Sequence, residues 1–309
     1  MPAWAARDAS GAVLNAMAQA RIAEEENRPA AALMALTTLA SHAPTLPGLR
    51  GRMLEQAIEA GDLAAARSAA AALWQAGDLR FDAQLVLVVD AMRRSDWKGA
   101  QAYLDGRSGK TGADLGARLI HDSLDAWIAV GRRDAAAEAV LLRAGGGARP
   151  EPALLLEAAL VQLARGRVQE AVELSDAVTL TDRTSQLVAL RLAATFDRVK
   201  QGAAADRLRK RITLAAGGRE DPALMLPDRP VLTPRQGGAH WLALIADGMA
   251  RTPNSSAKVP LLFARAAYWL DPDDWTARAA LVEALDRNER GADALALLDA
   301  GRQGLPPVL

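Results

Sequence analysis

Alanine recurs five residues after a turn residue at a spacing close to 34. The segments Gly61–Ala66, Ser95–Ala100, Gly131–Ala136 and Gly166–Ala171 carry the pattern, and their alanines stand 34, 36 and 35 residues apart. The frame reaches back to Ala32 and forward to Ala205, then resumes after 55 residues at Pro260 and again at Ala294. A fixed period of this length marks supersecondary units that stack, each unable to bury its apolar face alone. Eight such units are in register.

Each turn is flanked by helical patterning. Met53, Leu54, Ala57 and Ile58 precede Gly61, and Leu63, Ala66, Ala70 and Leu73 follow Asp62, which places the apolar side chains on one helical face. The one strand-like run, Leu85 to Val89, sits in helical frame. The expected fold is therefore all-α, about eight antiparallel helical hairpins, with the small frame residue setting how closely helices approach. Trp74, Trp97, Trp127 and Trp269 fall at helical spacing among apolar neighbours and are expected in the core.

Ser95-Asp96-Trp97-Lys98-Gly99-Ala100 and the unit ending Ala267-Tyr268-Trp269-Leu270-Asp271-Pro272-Asp273-Asp274 resemble the tetratricopeptide repeat family. Pro44 and Pro272 each fall twelve residues after a frame position, and Gly248 and Trp127 match the family's small and aromatic positions in the first helix. The resemblance covers the chain outside roughly residues 217–238. It implies a right-handed α-solenoid whose first helices line a concave groove. One ladder across that groove would run Arg52, Val86, Asp122, Glu157 and Arg191, and a neighbouring one Arg21, Glu55, Val89, Asp125 and Leu160. The partner-binding candidates are thus Arg21, Arg52, Glu55, Asp122, Asp125, Glu157 and Arg191. Their mixed signs suit a patterned protein or peptide rather than a polyanion. The Lys/Asn clamp that some relatives use for chaperone C-termini is replaced by Arg21 and Glu55.

The period divides the chain into six units over 1–216, a segment 217–238 containing Pro222, Pro227, Pro230 and Pro234, and two further units with a tail over 239–309. Prolines at that density cannot continue a helix. Two readings of the segment stand: a hinge between blocks, or a lid in which Leu224, Met225, Leu226, Val231 and Leu232 fold over the groove. Gly145 to Pro150 reads as a connector. The last helix has no amphipathic partner after it, which leaves association of copies through uncapped termini open.

Other chemistry is poorly supported. With 37 basic and 37 acidic residues the net charge is zero, so a nucleic-acid partner is not expected. There is no cysteine for a thiolate metal site, thiol nucleophile or disulfide. Gly106-Arg107-Ser108-Gly109-Lys110-Thr111 ends like a phosphate loop but lacks its first glycine, with Leu at 104, and is read as an inter-hairpin turn. His42, His121 and His240 lie in three different units; His121, Asp122 and Asp125 share one helix and do not surround an ion. Glu24 to Glu26 is an exposed run on a helix. No catalytic residue, metal or cofactor is assigned. No stretch spans a membrane, Ala153 to Ala164 being short and interrupted by Glu157. The N-terminus lacks a secretory core, which gives a cytoplasmic default, or a periplasmic location if a leader precedes it. Abundant alanine, and arginine in preference to lysine, fit a GC-rich bacterial genome. The function expected is a non-enzymatic interaction scaffold; the alternative is an accessory subunit of an envelope or polysaccharide-assembly complex.

Overall fold

The structure, a computed structural model, describes residues 3–106, 115–143, 151–217, 222–225, 229–252, 256–301, 304 and 306. Among these residues there are sixteen α-helices and no strand. They are α1 (Ala3–Glu25), α2 (Pro29–His42), α3 (Leu49–Ala60), α4 (Leu63–Gln75), α5 (Phe81–Arg93), α6 (Trp97–Asp105), α7 (Leu115–Gly131) and α8 (Ala139–Arg143). After these come α9 (Pro152–Ala164), α10 (Val168–Ala177), α11 (Arg183–Arg198), α12 (Gly202–Ala216), α13 (Pro234–Ala250), α14 (Lys258–Leu270), α15 (Trp275–Arg287) and α16 (Gly291–Ala300). A short 3-10 turn, Pro222–Met225, lies between α12 and α13.

The 34-residue period has a backbone cause. Asn27, Gly61, Ser95, Arg133, Gly166, Lys200 and Glu289 all have positive φ, and each sits in the turn between the two helices of a pair. The amide of the following residue returns to a carbonyl five residues back: Arg28 to Ala23, Asp62 to Ala57, Asp96 to Ala91, Asp134 to Ala129, Arg167 to Gln162, Gln201 to Phe196 and Arg290 to Leu285, all at 2.8–3.0 Å. This closure satisfies a carbonyl at the end of the first helix and reverses the chain. Asp62 and Asp96 then cap the second helix, accepting from the amides of Ala65 and Gly99. The frame alanines Ala32, Ala66, Ala100, Ala171 and Ala205 are fully buried, which lets the second helix press onto the first.

One unit departs from the expected frame. In the fourth hairpin the left-handed residue is Arg133, and Gly131 is the last residue of α7. A Cβ at Gly131 would clash with the indole of Trp97, so this glycine answers a close approach rather than a turn. The frame accordingly slips by one: Ala136 is exposed and Ala137 is buried.

The chain divides into two compact units, residues 1–90 and 91–309, with the division inside α5. In the first, α1 packs on α2, α2 on α3 and α3 on α4. Its core gathers Ala16 and Ala20 of α1, Ala35, Leu36 and Leu39 of α2, and Leu49 of α3. Alanine dominates α1's buried stripe, so that helix lies close to its neighbour.

The second unit contains the proline-rich segment. There α7 contacts α9 and α9 contacts α11, the nearest-neighbour order of stacked hairpins. The next first helix does not continue this order: besides its own partner α14 and the following α15, α13 packs against α7, and touches α9 and α11 only lightly. Gly237 and Gly238 allow it. A Cβ on Gly237 would clash with the Trp127 indole, and one on Gly238 would lie 2.9 Å from Met92 and 3.4 Å from Leu124. Thr233 and Gln236 form a capping box that starts α13 at Pro234. Trp127, Phe196 and Phe263 are the largest fully enclosed side chains of this unit. Trp269 is also buried, whereas Trp74 and Trp97 are half-buried. Among the described residues no helix is long and apolar enough to cross a membrane.

Candidate interaction surfaces

In the first unit the charged candidates form ordered pairs. Arg52 on α3 reaches across to Glu24 on α1 through three contacts of 2.9–3.1 Å, a bidentate geometry that fixes both side chains. Arg21 pairs with Glu25 one turn on, both well exposed. Glu55 is half-buried on the same helix as Arg52.

One residue on from Arg21, and so about 100° around the helix, Ile22 opens onto a cleft of about 660 Å³. Gln19 and Ala23 of α1, Ala31, Met34 and Thr38 of α2, and Asp62 and Ala65 at the start of α4 line it. Ile22 is 51 % and Met34 73 % exposed. The hydroxyls of Thr37 and Thr38 donate to the carbonyls of Leu33 and Met34, so the α2 wall offers few free polar groups. Leu14 and Met17 are further exposed apolar side chains on α1. Four of the nine large apolar side chains exposed among the described residues thus lie on this hairpin. The sequence held this signal in Ile22 and Met34, large apolar residues off the buried stripes of their helices.

The second unit treats its candidates differently. Asp125 of α7 accepts from Gln101 of α6 at 2.9 Å, and Asp122 lies 3.4 Å from Nδ1 of His121; both aspartates are half-buried. Glu157 and Arg191, expected on an open groove, are buried at 0 % and 4 % exposure. Arg191 is covered by the N-terminus of α15 and by Arg229, and Glu157 is enclosed against Ser123 and Trp127 of α7. Arg191 donates to Asp274 at the start of α15, to the Thr276 hydroxyl at 2.6 Å and to the Arg229 carbonyl at 3.0 Å. The neighbouring Thr195 hydroxyl accepts from the Val231 amide at 2.9 Å. Arg183 pairs with Asp247 of α13, and Arg229 with Asp271. Of the segment read as hinge or lid, Val231 is buried against α11, Leu224 and Leu232 are half-buried, and Met225 is exposed. Leu226, the Arg107 to Thr111 turn and the Gly145 to Pro150 connector lie outside the described residues.

Burial shapes the ionisation here. Burial raises the Glu157 carboxyl to about 7, although Trp127 Nε1 at 2.5 Å and Ser123 Oγ at 3.2 Å both donate to its Oε1. His240 on α13 is fully enclosed with neither ring nitrogen hydrogen-bonded; burial and the nearby Arg191 cation push it down to about 3, against the pull of Asp274. Burial also opposes the charged form of Asp274, but the adjoining Arg191 guanidinium and its hydrogen bond bring it below the usual carboxylate range. These groups form an internal polar seam through the unit rather than a surface. His240, Asp274 and Thr276 were not legible as part of it, because contacts 80 residues apart leave no trace in a 34-residue period.

No protein-family model, curated protein or solved structure matches the chain.

Proposed function

We propose that the hairpins are units of a tetratricopeptide-like repeat and that the chain is a non-enzymatic scaffold binding a peptide or partner protein. The observation that carries this reading is the open cleft of the first unit, with Ile22 and Met34 exposed in its walls. A peptide side chain seated there would bury apolar area on both partners, worth about 25 cal/mol per Å² removed from water. Arg21 and Arg52, each paired with a glutamate of α1, supply together with Glu55 a second, polar recognition face on the first helices. In the second unit the corresponding face is taken by the chain's own α13 and α15, which leaves the first unit as the recognition module.

The test is capture from native lysate with quantitative mass spectrometry, using wild type, Met34→Glu and Arg21→Glu/Arg52→Glu. A partner held by wild type and lost from Met34→Glu supports cleft binding. Loss from the arginine variant alone would move recognition to the charged face. Retention by both folded variants would remove the first unit from the account.

A further inference from the structure

We propose that Glu157 is a proton-linked latch on the docking of α13 against α7. The contact between these helices is made flat on the indole of Trp127, where Gly237 brings the α13 backbone too close for any side chain. The same indole is anchored at its edge: its N–H donates to Glu157 Oε1 at 2.5 Å, and Ser123 Oγ donates to the same oxygen. Glu157 therefore sets the ring on which α13 lies. Its other oxygen, Oε2, is buried without a hydrogen-bond partner, so the desolvation of the anion is only partly offset by the two bonds to Oε1. Undocking α13 uncovers the Trp127 face and opens the junction to water, which favours the carboxylate. Proton binding and docking are thereby linked.

The surrounding charges do not supply the missing partner. The helices packed on α9 carry, among the described residues, His121, Asp122 and Asp125 (α7), Arg143 (α8), Glu170, Glu173 and Asp176 (α10), Arg183, Arg191, Asp197 and Arg198 (α11), and Arg235, His240 and Asp247 (α13). Only Arg191 and His240 of these are buried as Glu157 is. Arg191 is engaged by Asp274, Thr276 and the Arg229 carbonyl. His240 lies beside that pair and is held neutral by burial and by Arg191.

The test is amide hydrogen exchange of the full-length chain at pH 6 and pH 8, corrected for intrinsic exchange, in wild type and Glu157→Gln. Opening of α13 in wild type should rise about tenfold between the two, as expected for a buried carboxyl titrating near neutrality. At both pH values the amides of α13 should be less protected than those of α10 and α12, which marks the opening as local rather than global. Glu157→Gln, which keeps an acceptor for the indole, should show no such rise. Should that variant not fold, the Trp127 indole ¹⁵N–¹H resonance of wild type reads the same event and should titrate near pH 7. Equal α13 protection at both pH values, a rise that persists in Glu157→Gln, protection of α13 no lower than that of α10 and α12, or a flat indole resonance would each overturn the proposal.

Discussion

Arg191 in the middle of α11 and Asp274 at the start of α15 form an ion pair at 4 % and 5 % side-chain exposure, joining segments 83 residues apart. Asp274 also accepts from the Thr276 amide at 3.0 Å, so one carboxylate caps α15 and neutralises α11. Breaking such a pair leaves a buried charge uncompensated, which costs more than the pair contributes when intact. Arg191→Met is expected to lower stability by about 3–5 kcal/mol. In a double-mutant cycle with Asp274→Asn, measured by urea unfolding, the second change should cost much less once the first is present. Additive losses would show that the two side chains act independently.

Stability should depend on pH in two opposed steps. His240 falls from its ordinary 6.5 to about 3 in the fold, so the unfolded chain binds more protons between these values and stability rises with pH there. Glu157 rises from 4.5 to about 7, so the folded chain holds the proton and stability falls as pH climbs through that window. The profile should climb on leaving acid, flatten where the windows overlap and decline toward neutrality. Glu157→Gln should remove the whole Glu157 contribution of roughly 3 kcal/mol, turning the flat overlap into a continued climb and abolishing the decline above about pH 6.5, which is itself under about 1 kcal/mol. Urea unfolding at intervals from pH 3 to 8 reads both limbs; a decline unchanged in Glu157→Gln would reject the assignment.

Two glycines on α13 should respond with opposite signs. Gly237→Ala forces a methyl into the Trp127 indole and should destabilise by about 1–3 kcal/mol. Gly248→Ala meets nothing within 4 Å on the exposed side of the same helix, and should stabilise by up to about 1 kcal/mol. Thermal unfolding of the two variants gives the comparison, and equal shifts would mean that α13 does not approach α7 as described.

Helices and hairpin turns were legible because they repeat: a left-handed turn residue and a buried alanine five positions later are local requirements, renewed at Asn27, Gly61, Ser95, Gly166, Lys200 and Glu289. Gly131 misled the frame because glycine serves two ends, a turn at Gly61 and close packing against Trp97 at Gly131. The inner-face ladder located Arg191 and Glu157 on first helices, as observed, but assumed that each hairpin meets only its neighbours. The return of α13 to α7 breaks that assumption and turns expected surface charges into internal ones. Its trace in the sequence is the Gly237-Gly238 pair, which fits a close approach once its partner is known. In the first unit Arg21, Arg52 and Glu55 lie on or near the surface, while the cleft beside them was visible only as two apolar residues out of pattern.

The central claim, recognition through the first unit's cleft, is tested most directly by site-specific photo-crosslinking in cells. A benzophenone side chain at position 34 is compared with one at position 214, where Leu214 is 80 % exposed on α12. One protein should be crosslinked from position 34 and not from 214, with the adduct lost when Ile22→Glu is added. No specific adduct at 34, or the same adduct from both positions, would contradict it.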